Sequence, residues 1–192
     1  MRVVKPATIE PWTTEGEPKT LATARHIELY LQNFRDPLTQ KTHEFSLYRS
    51  PDWCSVCALT PEGTLLLVRQ YKQGIDGIFY EFCAGVIDAG EQPAETARRE
   101  LAEETGYAAE ALRELGAAWI SPRRSAVKFH AFIATNCRPA GDQQLDDIEA
   151  IEVVEVTPEE FWALVKTQEI RDAHTLVNAL HAVREGYLPP PL

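Results

Sequence analysis

The sequence predicts an α+β chain, and two features carry that expectation. Short runs of alternating or continuous apolar residues recur between Gly, Pro, Asp and Asn breakers, with helical runs inserted among them rather than in regular alternation. One stretch, QPAETARRELAEETG, is strongly helical, with Pro93 suited to its first turn and Gly106 to its C-terminal cap. With 192 residues, 44% hydrophobic and 25% charged, the chain has material for one compact domain and a small appendage.

Pro6 and Pro11 make the first dozen residues irregular. Residues 24–34 and 43–49 alternate apolar and polar side chains around a turn at Asp36 and Pro37, which predicts a hairpin. Residues 1–50 thus form an N-terminal β segment too short for a convincing core of its own, and residues 51–192 form the main domain. There, WCSVCAL and LLLVRQY flank the turn signal Thr60-Pro61-Glu62-Gly63 and predict a second hairpin. Ile78 to Phe82 reads as a short strand, and Gly85, Asp88 and Gly90 mark the loop before the helix. Strands follow at 115–120, 127–135 and 150–156, then helices at 158–168 and 172–185. Pro189, Pro190 and Pro191 predict a loose end.

Charge narrows the function. Nineteen basic residues against 29 acidic ones give a net charge of −10, which repels a phosphate backbone and argues against a nucleic-acid partner. A divalent cation held by clustered carboxylates can still bring a phosphorylated small molecule to such a protein. No run approaches the roughly 20 apolar residues of a membrane helix, no secretory signal is visible, and the expected location is the cytoplasm. Cys54 and Cys57 form a CxxC, but residues three apart on a strand point to opposite faces and share no metal.

The most informative residues are Glu100, Glu103 and Glu104, which helical spacing brings onto nearly one face, while Ala94, Ala97 and Leu101 form the packing stripe. Such a face is either a solvated acidic surface offset by Arg98 and Arg99 or a hard-oxygen site for a cation. The preceding glycine loop favours the second reading, because it can turn a main-chain carbonyl toward the helix.

From Gly85 to Tyr107 the chain resembles the box of the Nudix hydrolases: Gly85, Glu91, Arg99, Glu100, Glu103, Glu104 and Gly106 all stand at its fixed spacing. The resemblance implies the Nudix fold, an α/β/α sandwich with a mixed central sheet, here with a small N-terminal β-hairpin or sheet. It also implies Mg2+, or Mn2+, held by Glu100 and Glu104 and by the Ala84 carbonyl, with Glu103 a further ligand or the group that orients water. Arg99 and Glu91 would hold the glutamates in place.

LLLVRQYKQG followed by EFCAGVID, Pro122 and EIRDAHTLVNALHAV is similar to the ADP-ribose pyrophosphatase-like branch. That similarity implies hydrolysis of ADP-ribose or a related nucleoside diphosphate sugar, a homodimer through the N-terminal segment, and a catalytic glutamate on a mobile loop. Glu149 is the candidate, with Asp146 and Asp147 behind it, and Glu81 is a further metal or structural carboxylate. Arg69 contacts phosphate or makes a structural ion pair. Trp53, Tyr71, Trp12 and Tyr30 either stack on a base or pack in the core. After Pro122 the chain departs from the branch with Arg123, Arg124, Ser125 and Lys128, which face substrate or form an ordinary surface patch. The five histidines, His26, His43, His130, His174 and His181, show no metal spacing and receive no role. Two other readings stay open: another Nudix substrate, such as a dinucleotide, a flavin or nicotinamide cofactor or a nucleoside triphosphate, and a module that binds ADP-ribose without cleaving it.

Overall fold

The computed structural model describes residues 9–191. They divide into two compact units, one containing the chain up to Ser50 together with Ile120–Val127, the other Pro51–Trp119 with the chain from Lys128 onward.

The first unit is an antiparallel meander of β1 (Thr13–Ala24), β2 (Ile27–Arg35) and β3 (Thr42–Arg49). β2 and β3 carry the expected alternation, and Phe34, Phe45 and Trp12 pack edge to face along it. Asp36 builds the connecting turn, its carboxylate accepting from the Leu38 N–H at 2.9 Å and the Thr39 hydroxyl at 2.7 Å. β1 was not anticipated, and the expected strand at 24–34 begins only at Ile27, after a turn with Arg25 at φ 49°. The reason lies in TTEGEPKTLATA itself, a largely exposed strand with two register breaks, so no apolar alternation survives in the sequence. Buried Gln32 spans one break by donating to the Glu15 and Gly16 carbonyls at 3.0 and 3.2 Å.

The second unit contains β4 (Trp53–Leu59), β5 (Leu65–Lys72), β6 (Gly77–Glu81), β7 (Cys83–Val86), α1 (Pro93–Thr105), β8 (Tyr107–Ala108), β9 (Ala111–Trp119), β10 (Lys128–Thr135), β11 (Arg138–Pro139), β12 (Ile151–Val156), α2 (Pro158–Lys166) and α3 (Ala173–Arg184). The main sheet runs β12-β5-β4-β10-β9, with β6 added on β5 and β7 on β4. It is mixed, because β4 and β10 pair in parallel and the other ladders are antiparallel. β8 and β11 make a separate short pair.

The central strands are apolar on both sides, as a sheet covered on both faces requires. Cys54, Val56, Ala58, Leu66 and Val68 meet Ala97 and Leu101 of α1, whereas Cys57, Leu59, Leu65 and Leu67 meet Phe161 of α2 and Ala179 and Ala182 of α3. The result is an α/β/α sandwich. Cys54 and Cys57 face opposite layers, all four cysteines are free and buried, and burial pushes the Cys54 thiol up to about 12. Two expectations need correction. Ala94 is exposed, and the buried side of α1 consists of Thr96, Ala97, Leu101, Glu104 and Thr105. The proline end is anchored rather than loose, since Leu188 is buried and the Trp162 indole donates to the Pro189 carbonyl at 3.0 Å. Among the described residues no helix is long and apolar enough to cross a membrane.

The predicted hairpin around Thr60–Gly63 is present but pairs only at Ala58–Leu66 and Leu59–Leu65. Beyond that the two strands part, and β6 and β7 fill the fork, one on each side. The Glu81–Cys83 corner therefore sits inside the sheet, and β7 emerges beside α1.

Candidate active site

Local sequence explains where α1 starts and stops. Pro93 occupies the first turn, and the Glu95 carboxylate accepts from the Gln92 N–H at 3.0 Å. At the other end Gly106 takes φ 74°, and a Cβ there would meet the Gly141 carbonyl oxygen, so only glycine fits. The chain after β11 covers this end: the Gly106 carbonyl accepts from Ala140 at 2.8 Å and the Glu103 carbonyl from Gln144 at 2.9 Å. Carbonyls at the end of the helix thereby gain partners, and the acidic segment 142–149 is tied close to the glutamate face.

On that face Arg99 is the hub. Its Nε and Nη2 reach the two oxygens of Glu91 at 3.2 Å each, and its Nη1 reaches Glu100 and Glu103 at 2.9 Å each. The guanidinium holds the Glu91 carboxyl down to about 2. Glu100 is pushed upward, chiefly by burial, against the pull of Arg99 and with the charges of Glu103 and Glu149 adding to the rise. Glu104 is buried at 4% exposure and accepts the Ala84 N–H at 3.1 Å. Burial, followed by the Glu100 charge, lifts it to about 8. Gly85 is the other obligatory glycine, because a Cβ would land on the Glu100 carboxylate. Three carboxylates thus share one guanidinium and a fourth, Glu104, lies beside them on the Ala84 N–H, leaving an excess of acidic oxygen donors at this face. That donor set is of the hard-oxygen kind that suits a divalent cation.

The remaining anticipated residues are placed as follows. Glu149 is exposed on a turn closed on itself, its carboxylate accepting from the Asp146 N–H at 3.1 Å, and its charge is felt at Glu100. Asp146 and Asp147 are exposed on the same turn. Arg69 pairs with exposed Glu152 at 2.6 Å, and its guanidinium lies 5.8 Å from the Tyr80 ring. Tyr71 is half-exposed and donates to Asp76 at 2.7 Å. Trp53 packs on Phe129 at 5.9 Å and on His174 at 4.6 Å between ring centroids, which is core packing. Lys128 lies over Trp119. In the first unit Arg123 is exposed, and Tyr30 lies under Arg49 at 4.0 Å. Arg124 is committed to structure there, donating to the Ser46 carbonyl at 3.1 Å while its own carbonyl accepts from Tyr48.

One cluster was foreseen only at Glu81, the further metal or structural carboxylate. Glu81, at 3% exposure, is bonded by Lys72 at 2.6 Å, Gln70 at 2.8 Å and His174 at 3.2 Å, and His174 also reaches Asp172 at 2.9 Å. The carboxylates hold His174 above its usual range against the effect of its burial, and the Glu81 charge contributes to the rise of Glu104. Asp172 caps α3, its carboxylate accepting from the Thr175 N–H at 2.9 Å, and nothing in the sequence tied His174 to a carboxylate on a distant strand.

Comparison with known proteins places the chain in a family. The chain is 34% identical over 165 residues to an ADP-ribose pyrophosphatase of Bacillus subtilis (strain 168), covering 83% of this chain and 89% of that one. It is 34% identical over 138 residues to a GDP-mannose pyrophosphatase of Yersinia enterocolitica, covering 67% and 71%. A solved ADP compounds hydrolase superposes with a TM-score of 0.82 at 20% identity over 95% of this chain and all of the other, a likeness of fold. Residues 49–178 match the NUDIX domain, and the chain belongs to the Nudix family.

Proposed function

We propose that this chain is a metal-dependent pyrophosphatase that hydrolyses the diphosphate bond of ADP-ribose or a related nucleoside diphosphate sugar, giving a nucleoside monophosphate and a sugar phosphate. The observation that carries this reading is the Arg99-braced carboxylate face, with Glu104 seated on the Ala84 N–H. Glu100, Glu103, Glu104 and the Ala84 carbonyl would hold Mg2+, and Mn2+ suits the same donors. When bound, the cation polarises the diphosphate and lowers the pKa of water. Glu103 orients the attacking water and Glu149 accepts its proton as the water oxygen bonds to phosphorus and the bridging P–O bond breaks. Arg99 takes no proton; it keeps Glu100 and Glu103 aligned from behind.

For substrate contacts, Arg69 has an exposed partner that a phosphate can displace, and Tyr71 and Arg123 remain accessible. Trp53 can contribute only through an edge left free by the core. We also assign a homodimer to the segment 1–50, supported by the exposed Trp12, Leu21, Ile27, Leu29 and Leu38.

The test is incubation with Mg2+ or Mn2+ and a panel of ADP-ribose, GDP-mannose, dinucleotides and nucleoside triphosphates, with products resolved by chromatography. AMP and ribose 5-phosphate from ADP-ribose are expected; silence across the panel with both metals overturns the reading in favour of a binding module. In the same assay Glu149→Gln is expected to lower kcat by roughly 10²-fold or more with a smaller change in KM, as loss of a general base does. An unchanged kcat moves the role to another carboxylate.

A further inference from the structure

The corner between β6 and β7 is a weak point by its own hydrogen bonding. Phe82 is fully buried between the two strands, and a buried backbone N–H without a partner is costly. Its partner comes from far along the chain: the Phe82 N–H donates to Thr175 Oγ1 at 3.0 Å. One residue earlier, buried Glu81 receives His174 Nε2 at 3.2 Å. Both donor and acceptor belong to the first turn of α3, which Asp172 fixes in two ways. Its Oδ2 accepts the Thr175 N–H at 2.9 Å and stands 2.9 Å from His174 Nε2. Asn178, one turn on, secures the same helix to the sheet through the Ser55 and Phe132 carbonyls at 2.9 and 3.2 Å.

Two residues beyond Phe82 is Ala84, whose N–H meets Glu104. A strand advances about 3.3 Å per residue, so Ala84 lies within about 7 Å of the corner along the chain. Among the described residues no hydrogen bond or ion pair joins α3 to Glu100, Glu103 or Glu104; the bonded route from α3 toward them passes this corner.

We propose that His174 and Thr175 are positioning residues for the metal face: the first turn of the last helix sets the β6–β7 corner, and through it the place of the Ala84 peptide against Glu104. This rests on the metal-site reading of the carboxylate face given above. Lys72 and Gln70 neutralise and bond Glu81 from its own side of the sheet, so the contribution of α3 is to place the corner rather than to make its burial tolerable.

The test uses the full chain with Thr175→Val, which keeps shape and removes the acceptor, and Thr175→Ser, which restores it. Mn2+ binding is measured directly by electron paramagnetic resonance without substrate, and kcat and KM for ADP-ribose are measured across Mg2+ concentrations. Thr175→Val is expected to weaken Mn2+ binding about tenfold and raise the Mg2+ needed for half-maximal turnover by about the same factor, as loss of an outer support of a metal site does, with KM at saturating metal within about twofold. Thr175→Ser is expected to return both values to wild type. A folded Thr175→Val with unchanged Mn2+ affinity and Mg2+ requirement overturns the proposal while leaving the metal site standing. If that variant does not fold, His174→Gln, which keeps a donor near Nε2, and His174→Leu, which removes it, take its place; equal Mn2+ affinity in the two overturns the proposal. Wild-type protein that binds no Mn2+ overturns the metal-site reading itself.

Discussion

Glu104→Gln is expected to lower kcat by on the order of a thousandfold while making the metal-free protein more stable at pH 8. On the proposed metal-site reading the cation supplies several kcal/mol of charge stabilisation in the transition state, and at about 1.4 kcal/mol per tenfold in rate, loss of the most buried of its proposed ligands removes roughly three powers of ten. The stability gain follows from the same burial. The Glu104 carboxyl is raised from 4.5 to about 8, so between those values the folded chain holds a proton that the unfolded chain has released. Stability of the metal-free protein therefore falls as pH rises through that window. Glutamine carries no charge to bury and still offers an oxygen to the Ala84 N–H. Thermal unfolding in chelator is expected to favour the variant by about 1–3 kcal/mol at pH 8 and by nothing below pH 4.5. A variant that is less stable than wild type at pH 8, or one that turns over at the wild-type rate, sinks this account.

Arg99→Gln is expected to act in the opposite sense on stability. Removing the guanidinium leaves Glu91, Glu100 and Glu103 facing one another with no cation, two of them largely buried. Breaking a fully buried pair costs about 3–5 kcal/mol; with Arg99 one-third exposed, about 2 kcal/mol is the reasonable expectation at pH 7. The pH dependence identifies the cause. Glu91 is held down to about 2 by Arg99, so its contribution is complete above its ordinary value of 4.5 and is lost as pH falls toward 2. Denaturant unfolding should show a gap between wild type and variant that is widest near pH 7, narrows as Glu100, freed from Arg99, takes up a proton, and closes toward pH 2. Added Mg2+ should narrow the gap at pH 7, since a divalent cation relieves the same repulsion. A gap that does not change with pH would place the role of Arg99 in packing rather than in charge.

The residues bearing on these two outcomes differ in how visible they were. Glu100, Glu103 and Glu104 were legible because spacing at 3.6 residues per turn determines which helical side chains share a face, whereas the pairing of Arg99 with Glu91 in the preceding loop came only with the resemblance to the Nudix box. The apolar strands of the sandwich were legible for the same reason, their two-sided burial being written in continuous runs such as Leu65 to Val68. β1 was not, because an exposed, twice-interrupted strand leaves no period in the sequence. Nor was the exposure of Ala94, where a residue with the right period lies on the first turn of α1, beyond the reach of the sheet.

His174 and Thr175 show where local reading stops. In the sequence they are unremarkable residues in the opening turn of a helix, and the Glu81 and Phe82 they serve belong to a strand corner more than ninety positions earlier. Local patterning was enough for the fold class and for the shared face of Glu100, Glu103 and Glu104 on α1, and the resemblance to the Nudix box added Arg99 as their brace. Long-range packing alone draws the acidic turn at Glu149 toward that face through the covered end of α1, places β6 and β7 in a fork of the sheet and closes the corner between them with α3. The physical reason is that short-range geometry comes from bond rotation and spacing, whereas a buried N–H or carboxylate is satisfied by whichever side chain the packed chain brings within about 3 Å.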